Sequence, residues 1–377
     1  MADTHLRDAQ YASRSRGRDF ASAFLAAAEA AAQAADMAVL VGDIFDKARP
    51  SPGVIATLMQ AHSIFARSGK PCLAVTGNHD WSSPTWIDTL FSGNLEGADI
   101  PAGKGGIYPI DGKSVSCLGY RFAGLPPLDG EQFRANLADM TVRARGADVV
   151  LYHGLVCGIV PIRVSASDPF HVRELPVDQA NLAWLLGDIH IQGYTHLPRP
   201  GGGETLVGYP GSTEMCSSSE PPHKSVPIVR LTEGGAEAVD KLPIATRPFI
   251  EASVCDEGAL DALVEKAKAL ADQHPLVLVK FARSLPQTIG RLHAVLDPQR
   301  AIVRCYPLPA DRETRRLDES GLPSDDLGID HFVAARFPDG SKLQAAALAL
   351  LARPESADEI VSDFIDDALA AEAVREG

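Results

Sequence analysis

The chain has no run of apolar residues long enough to cross a bilayer, which takes roughly 18 or more in succession. It also has no Cys-x-x-Cys pair: Cys72, Cys117, Cys157, Cys216, Cys255 and Cys305 are scattered singly. That spacing argues against a zinc cage and against a disulfide framework, and it points to a reduced, cytoplasmic protein. The opening Met-Ala-Asp-Thr-His turns polar within three residues and does not read as a signal peptide. Positive charge is scarce as well. With 35 Lys and Arg against 49 Asp and Glu, the net charge is -14, whereas a free-standing nucleic-acid binder is usually basic. A polyanionic substrate would therefore need bound cations, local basic patches or a partner subunit to supply the attraction.

What is present is ordinary for a soluble globular protein: 377 residues, 45% hydrophobic and 22% charged, with no internal repeat. Helix and strand signals alternate through residues 1–230, which predicts an α/β layered domain. Phe20 to Ala35 reads as an alanine-rich helix, followed by the apolar run Met37-Ala-Val-Leu-Val41 ending at Gly42. Ser51-Pro-Gly53 opens a second helix with Val54, Leu58, Ala61 and Phe65 on one face. It closes before the strand Cys72-Leu-Ala-Val-Thr76, which stops at Gly77. Asp148-Val-Val-Leu-Tyr152 and Ile189-His-Ile191 read as later strands, and Val177 to Leu186 has helical spacing through Leu182, Leu185 and Leu186. From about Val226 the texture becomes that of a small α/β module, then a charged linker from 311 and helices to the end. The expected division is 1–230, 231–310 and 311–377.

Each predicted strand ends in a loop loaded with metal-ligating side chains. In order these are Asp3-Thr-His5, Gly42-Asp-Ile-Phe-Asp46, Gly77-Asn-His-Asp80, His153-Gly154 and Gly193-Tyr-Thr-His196. In open α/β sheets ligands collect at the carboxyl ends of strands. Any one of these pieces alone is better explained as a turn or a solvated side chain; five in the same relative position need a shared reason. Mixed oxygen and nitrogen donors suit Mn²⁺, Fe or Zn more than a pure oxygen cage. A central carboxylate, Asp43, is suited to bridge two ions about 3.5–4 Å apart, the arrangement used for in-line displacement at phosphorus.

These motifs, in this order, resemble the calcineurin-like metallophosphoesterase superfamily. Arg18-Asp-Phe-Ala-Ser-Ala-Phe24, Gly42-Asp-Ile-Phe-Asp-Lys-Ala-Arg-Pro-Ser-Pro52 and Tyr209-Pro-Gly-Ser-Thr213 narrow the resemblance to SbcD-type DNA exonuclease subunits, including phage relatives. The resemblance covers residues 1 to about 310. It implies a layered metallophosphoesterase sandwich, a small α/β capping domain and a helical C-terminal tail. It further implies two divalent metal ions, most simply Mn²⁺. Asp3, His5, Asp43 and His196 would hold one; Asp43, Asn78 and His153 would hold the other. His79 matches the catalytic histidine, and Asp46 a residue near the scissile phosphate. Arg14, Arg16 and Arg18 are candidate DNA contacts. The tail implies an SbcC-like ATPase partner, and a homodimer stays open.

Two features depart from the family pattern. Tyr194 stands where a histidine should complete the second ion's shell; in a competing register, Gly187-Asp-Ile-His190, Asp188 takes that place. The expectation favours the Tyr194 register, because a helix running to Leu186 would put Asp188 at the start of a strand. Second, only Met1 and Ala2 precede Asp3, so a start further upstream, or a loosely held Asp3, is expected. The rival functions are a stand-alone phosphodiesterase for small substrates, which the acidic charge favours, and a catalytically weakened scaffold that binds DNA or the ATPase.

Overall fold

A computed structural model describes residues 1–307 except 12, 92–94, 162–169, 283, 284, 286 and 298. Two sheets pack face to face. The first is parallel throughout, with Ala38–Val41, Pro71–Val75 and Gly106–Pro109 side by side. Pro71–Val75 is buried at every position, as a strand covered on both faces must be. The second sheet has seven strands in the order Asp99–Ile100, Ser114–Cys117, Tyr120–Gly124, Val149–His153, Ala183–Gly187, Glu204–Tyr209 and Gly193–Pro198. Val41, Leu73 and Val75 from the first sheet meet Phe122, Val149, Leu151 and Leu206 from the second in one shared core.

Helices cover the outer face of the first sheet. Arg14–Ala34 buries Phe20, Phe24, Ala27, Ala28 and Ala31, a stripe at helical spacing whose small side chains allow close approach to the strands. The second helix, Pro52–Ser68, begins where the Ser51 side chain accepts a hydrogen bond from the Val54 N–H, with proline in its first turn. It ends at Gly69, whose φ of 68° is left-handed. Its buried residues are the predicted face, Val54, Leu58, Ala61 and Phe65. On the other side, Phe133, Met140, Tyr152, Trp184, Val207 and Tyr209 form a second outer core. The α/β layered sandwich is thus the observed architecture.

Two local expectations are corrected. Ala183–Gly187 is a strand, parallel to Val149–His153 and Glu204–Tyr209. Trp184 and Leu186 face one core while Ala183 and Leu185 face the other, the period-2 alternation of a strand; Ile189 to Ile191 is loop. The start of the chain is held firmly. The Met1 amine donates to the Val39 carbonyl at 3.0 Å, the Val41 N–H donates to the Met1 carbonyl at 2.9 Å, and Ala2 bridges Ser212. Asp3 and His5 are 0% and 3% exposed.

The hairpin Lys224–Thr232 and Gly235–Ile244 follows, so the division expected at residue 230 falls inside a strand. Then comes the small module: parallel strands Phe249–Val254, Leu276–Phe281 and Ile302–Pro307 with helices Glu257–Ala269 and Thr288–Val295. It has its own core of Ile250, Val254, Leu260, Leu263, Val277, Val279 and Leu292. The expected linker and helices beyond 311 lie outside the described residues. Among the described residues, no helix is long and apolar enough to cross a membrane.

Candidate metal centre

Four of the predicted loops converge at the carboxyl ends of the strands. The loop after Ala38–Val41 presents Asp43, the loop after Pro71–Val75 presents Asn78 and His79, and Val149–His153 ends on His153. The N-terminal segment lays Asp3 and His5 alongside the first of these: the Asp3 N–H donates to the Gly42 carbonyl at 3.0 Å and the His5 N–H to the Asp43 carbonyl at 2.9 Å. Donor atoms of Asp3, Asp43 and His153, all buried, lie within 4.8 Å of one another. His153 Nε2 stands 3.4 Å from Asp43 Oδ1 and 3.1 Å from Asn78 Oδ1, and His5 Nε2 is 3.5 Å from Asp43 Oδ2. Asp43 is central, with one oxygen toward each histidine.

The backbone is bent to achieve this. Asp3, His5, Asp43 and Asp188 have φ of 50°, 41°, 48° and 102°, conformations that L-residues avoid unless the surroundings hold them and that cluster at functional sites. Gly77 is required for a different reason. A β-carbon there would sit 2.2 Å from Asp43 Oδ1 and 2.8 Å from His153 Nε2. The buried Asp80 carboxylate, which completes the Gly-Asn-His-Asp motif, accepts from the N–H groups of Ile44, Phe45 and Gly77 at 3.0, 2.7 and 2.9 Å. It clamps the two loops together.

The structure brings His190 and Asp188, not His196 and Tyr194, to this cluster. Ala183–Gly187 ends there, so Asp188 and His190 leave the strand at its carboxyl end. Asp188 Oδ1 is 3.9 Å from His153 Nε2, and the Asp188 N–H donates to Asp3 Oδ1 at 3.0 Å. His190 Nε2 faces His5 Nε2 at 3.1 Å. His196 is exposed on the strand Gly193–Pro198, paired with Leu206. Tyr194 packs over Gly208 and lines an apolar cavity with Val39, Phe122 and Val229. The favoured register rested on a helix that is a strand, and it falls with that helix.

Three histidines share one logic. His153 Nδ1 is 3.0 Å from the Val41 carbonyl, His190 Nδ1 is 2.8 Å from Glu220 Oε1, and His79 Nδ1 is 2.9 Å from the Asp46 carbonyl. An Nδ1–H committed to such an acceptor leaves the Nε2 lone pair free to bind a cation or a substrate proton. Nε2 of His153 and His190 turns into the cluster, while the His79 ring is exposed at its mouth.

The electrostatics are those of a pocket short of positive charge. Burial pushes the Asp3 carboxyl up to about 6, and its Oδ2 has no hydrogen-bond partner; nor has His5 Nδ1. Burial works to lower the His153 imidazole, yet the Asp43, Asp3 and Asp188 carboxylates outweigh it and hold it up at about 10. Burial likewise works to raise Asp43, but the hydrogen bond and charge of His153, with His5, hold its carboxyl down at about 2. His5, lowered by burial to about 3, stays neutral. Buried like charges with an orphaned carboxylate oxygen are costly unless cations neutralise them. Oxygen and nitrogen donors, with imidazole Nε2 atoms turned into a carboxylate-rich cluster where a cation would displace their protons, fit divalent cations.

The remaining candidates separate. Asp46 pairs with Arg7 at 2.7 Å and anchors His79 through its backbone carbonyl. Arg14 and Arg18 are exposed. Arg16 is corrected: it is 1% exposed, and its guanidinium reaches Asp19 at 3.1 Å, Glu214 at 3.3 Å and the Met215 carbonyl at 2.7 Å. It ties the first helix to the loop after Tyr209 and cannot meet a phosphate. Asp80, Glu220 and Arg7 were missed by sequence reasoning. Asp80 had a signal, as the last residue of its motif; Glu220 and Arg7 had none.

A family profile described as calcineurin-like phosphoesterase matches residues 1–190, the span that supplies Asp3, His5, Asp43, Asn78, His153, Asp188 and His190. The chain belongs to the calcineurin-like phosphoesterase family. Within curated proteins it is similar to the DNA double-strand break repair protein Mre11 of Methanosarcina mazei, 28% identical over 258 residues, 66% of this chain and 38% of that one. It is also similar to the protein of the same description from Haloferax volcanii, 26% identical over 366 residues, 88% of this chain and 76% of that one. The Archaeoglobus fulgidus protein of that description is 40% identical over 84 residues, 22% of this chain and 19% of that one. The matched region thus spans well under half of the Methanosarcina protein and about three quarters of the Haloferax protein.

Proposed function

We propose that this chain is a metal-dependent nuclease subunit that hydrolyses phosphodiester bonds at DNA ends and works with an SbcC-like ATPase. The observation that carries the reading is the buried convergence of Asp3, Asp43 and His153 around an orphaned carboxylate oxygen. The similarity to proteins described as acting in double-strand break repair supplies the substrate class. Asp3, His5, Asp43 and His190 would hold one divalent ion; Asp43, Asn78, His153 and Asp188 would hold the other, with Mn²⁺ suited to the oxygen-rich second set. Bound there, such ions neutralise charge on phosphoryl oxygens and lower the pKa of a water. Glu220 and the Val41 carbonyl keep the liganding imidazoles in the required tautomer. His79, exposed at the mouth and oriented by the Asp46 carbonyl, turns Nε2 outward; with a proton taken up there, for instance from the attacking water, it would hydrogen-bond a phosphate oxygen and pass that proton to the departing one. Arg14 and Arg18, both exposed, would contact a phosphate backbone, and the ATPase would supply the attraction that a -14 chain lacks.

The net charge favours one rival, a small-substrate phosphodiesterase. The two readings separate when the full chain, with Mn²⁺ and then with chelator, is offered linear duplex DNA, cyclic nucleotides and bis-nitrophenyl phosphate. Metal-dependent shortening of the duplex supports the nuclease. Turnover of the small esters with intact DNA, in the presence of the ATPase, would overturn it. His79→Ala is expected to lower turnover by about 10²–10⁴-fold with metal content unchanged.

A further inference from the structure

The corner between His5 and His190 holds a third donor of a different kind. A nitrogen of each imidazole and the Cys216 sulfur all lie within 4.8 Å of one another. Cys216 is not placed there by chance packing. One buried carboxylate, Glu220, fixes both sides of the corner: Oε1 takes His190 Nδ1 at 2.8 Å and Oε2 accepts the Cys216 N–H at 3.2 Å. Lys224 Nζ and the Ser212 hydroxyl hold the same Oε2 at 2.7 and 3.0 Å. The neighbouring Met215, 3% exposed, packs against Leu276, Leu278 and Ile302 of the small module, which fixes the loop from behind.

The thiol has little else to do. Beyond His190, its contact is a long one, 3.5 Å from Sγ to the Glu214 carbonyl. The imidazole of His5, which faces His190 through Nε2, has a buried Nδ1 without a partner, as has Asp3 Oδ2 in the adjoining Asp3–Asp43–His153 group, so the centre contains more donor capacity than protein hydrogen bonds use. Among the described residues, no other cysteine joins a group able to hold a metal.

We propose that Cys216 is a sulfur ligand at the His5–His190 position, which makes that position selective for a borderline or soft divalent cation such as Zn²⁺, Co²⁺ or Fe²⁺ over Mn²⁺. The inference rests on the two-cation reading above and deepens it: the two positions differ in chemistry. On binding, the S–H bond breaks, a sulfur–metal bond forms, and one proton leaves to solvent. Thiolate favours soft and borderline ions, while the oxygen-rich Asp43, Asn78, His153 and Asp188 set keeps no such preference.

Cobalt is the probe. The full chain reconstituted with Co²⁺ is expected to show an intense near-ultraviolet sulfur-to-cobalt charge-transfer band. Cys216→Ser should lose that band while keeping the visible cobalt absorption, and Cys255→Ser should keep both. In competition dialysis, Zn²⁺ preference over Mn²⁺ should fall in Cys216→Ser by at least the effect of outer-shell partners, about 10–100-fold. Should that variant misfold, the ¹¹³Cd resonance of the unaltered protein gives the same answer, lying in the thiolate range if sulfur is bound. Visible cobalt absorption with no charge-transfer band, or a cadmium shift typical of oxygen and nitrogen alone, would overturn the sulfur ligand and leave the two-cation reading standing. Failure to retain Co²⁺ at all would overturn both.

Discussion

The centre is built from two stretches of chain that differ in how they reach it. In the stretch from Asp3 to His153, the Asp43, Asn78 and His153 donors come at the ends of buried parallel strands, each with a glycine beside the ligand, and the N-terminal segment lays Asp3 and His5 alongside them. Residues 183–220 deliver Asp188 and His190 from one strand end, then return after Glu204–Tyr209 to prop them with Cys216 and Glu220. The first stretch gives oxygen donors and two buried imidazoles, His5 and His153; the second gives the Asp188 carboxylate, the His190 imidazole, the Cys216 sulfur and the Glu220 carboxylate that orients the last two. Motifs local in sequence carry the ligands, and contacts distant in sequence carry their orientation.

The contrast breaks most sharply at the two rival histidines. His190→Ala is expected to weaken cation binding at the His5 position by about 100-fold or more, whereas His196→Ala should leave binding unchanged, since His196 is exposed on an edge strand. Titration calorimetry with Zn²⁺ on both variants decides it; the opposite ranking would restore the Tyr194 register.

A second test compares buried carboxylates inside and outside the cluster. Asp43, among imidazoles, is held at about 2. Asp111 has only the Thr76 N–H and hydroxyl on Oδ1, and its Oδ2 is buried without a partner, so burial pushes it up to about 6. Between about pH 4 and 6 the folded state therefore binds a proton that the unfolded chain releases. That binding makes stability fall as pH rises across the window, by roughly 2–3 kcal/mol, and the loss is complete above it. Asp111→Asn keeps an acceptor for Thr76 and removes the titration. Urea midpoints at pH 4.5 and 7 should show the variant gaining on the parent as pH rises; a constant difference would mean that Asp111 ionises without penalty.

The smallest effect concerns Asp188. Asp188→His, which removes one carboxylate beside His153 and supplies a neutral imidazole, should change Mn²⁺ affinity at the Asp43–Asn78–His153 position by about tenfold. An unchanged affinity would mean that residue 188 faces no cation.

Much of this was legible before any coordinates. Apolar runs ending in Gly42 and Gly77 marked two strands and their loops, which gave Asp43, Asn78 and His79, and the run Asp148-Val-Val-Leu-Tyr152 gave His153. The misreading at 177–186 has a physical cause. Leu182, Leu185 and Leu186 mimic helical spacing, and a short apolar run buried on both faces has no periodicity to distinguish strand from helix. Arg16 looked like surface charge because its partner Glu214 is 198 residues away. Glu220 and Cys216 sit in a serine-rich loop whose pattern gives no hint that it wraps His190.

Anomalous diffraction from crystals grown with Mn²⁺ and Zn²⁺ tests the centre most directly. The account predicts two ions sharing Asp43, one reached by Asp3, His5 and His190, the other by Asn78, His153 and Asp188. Ions bound at His196 instead, or none beside Asp43 at saturating metal, would contradict it.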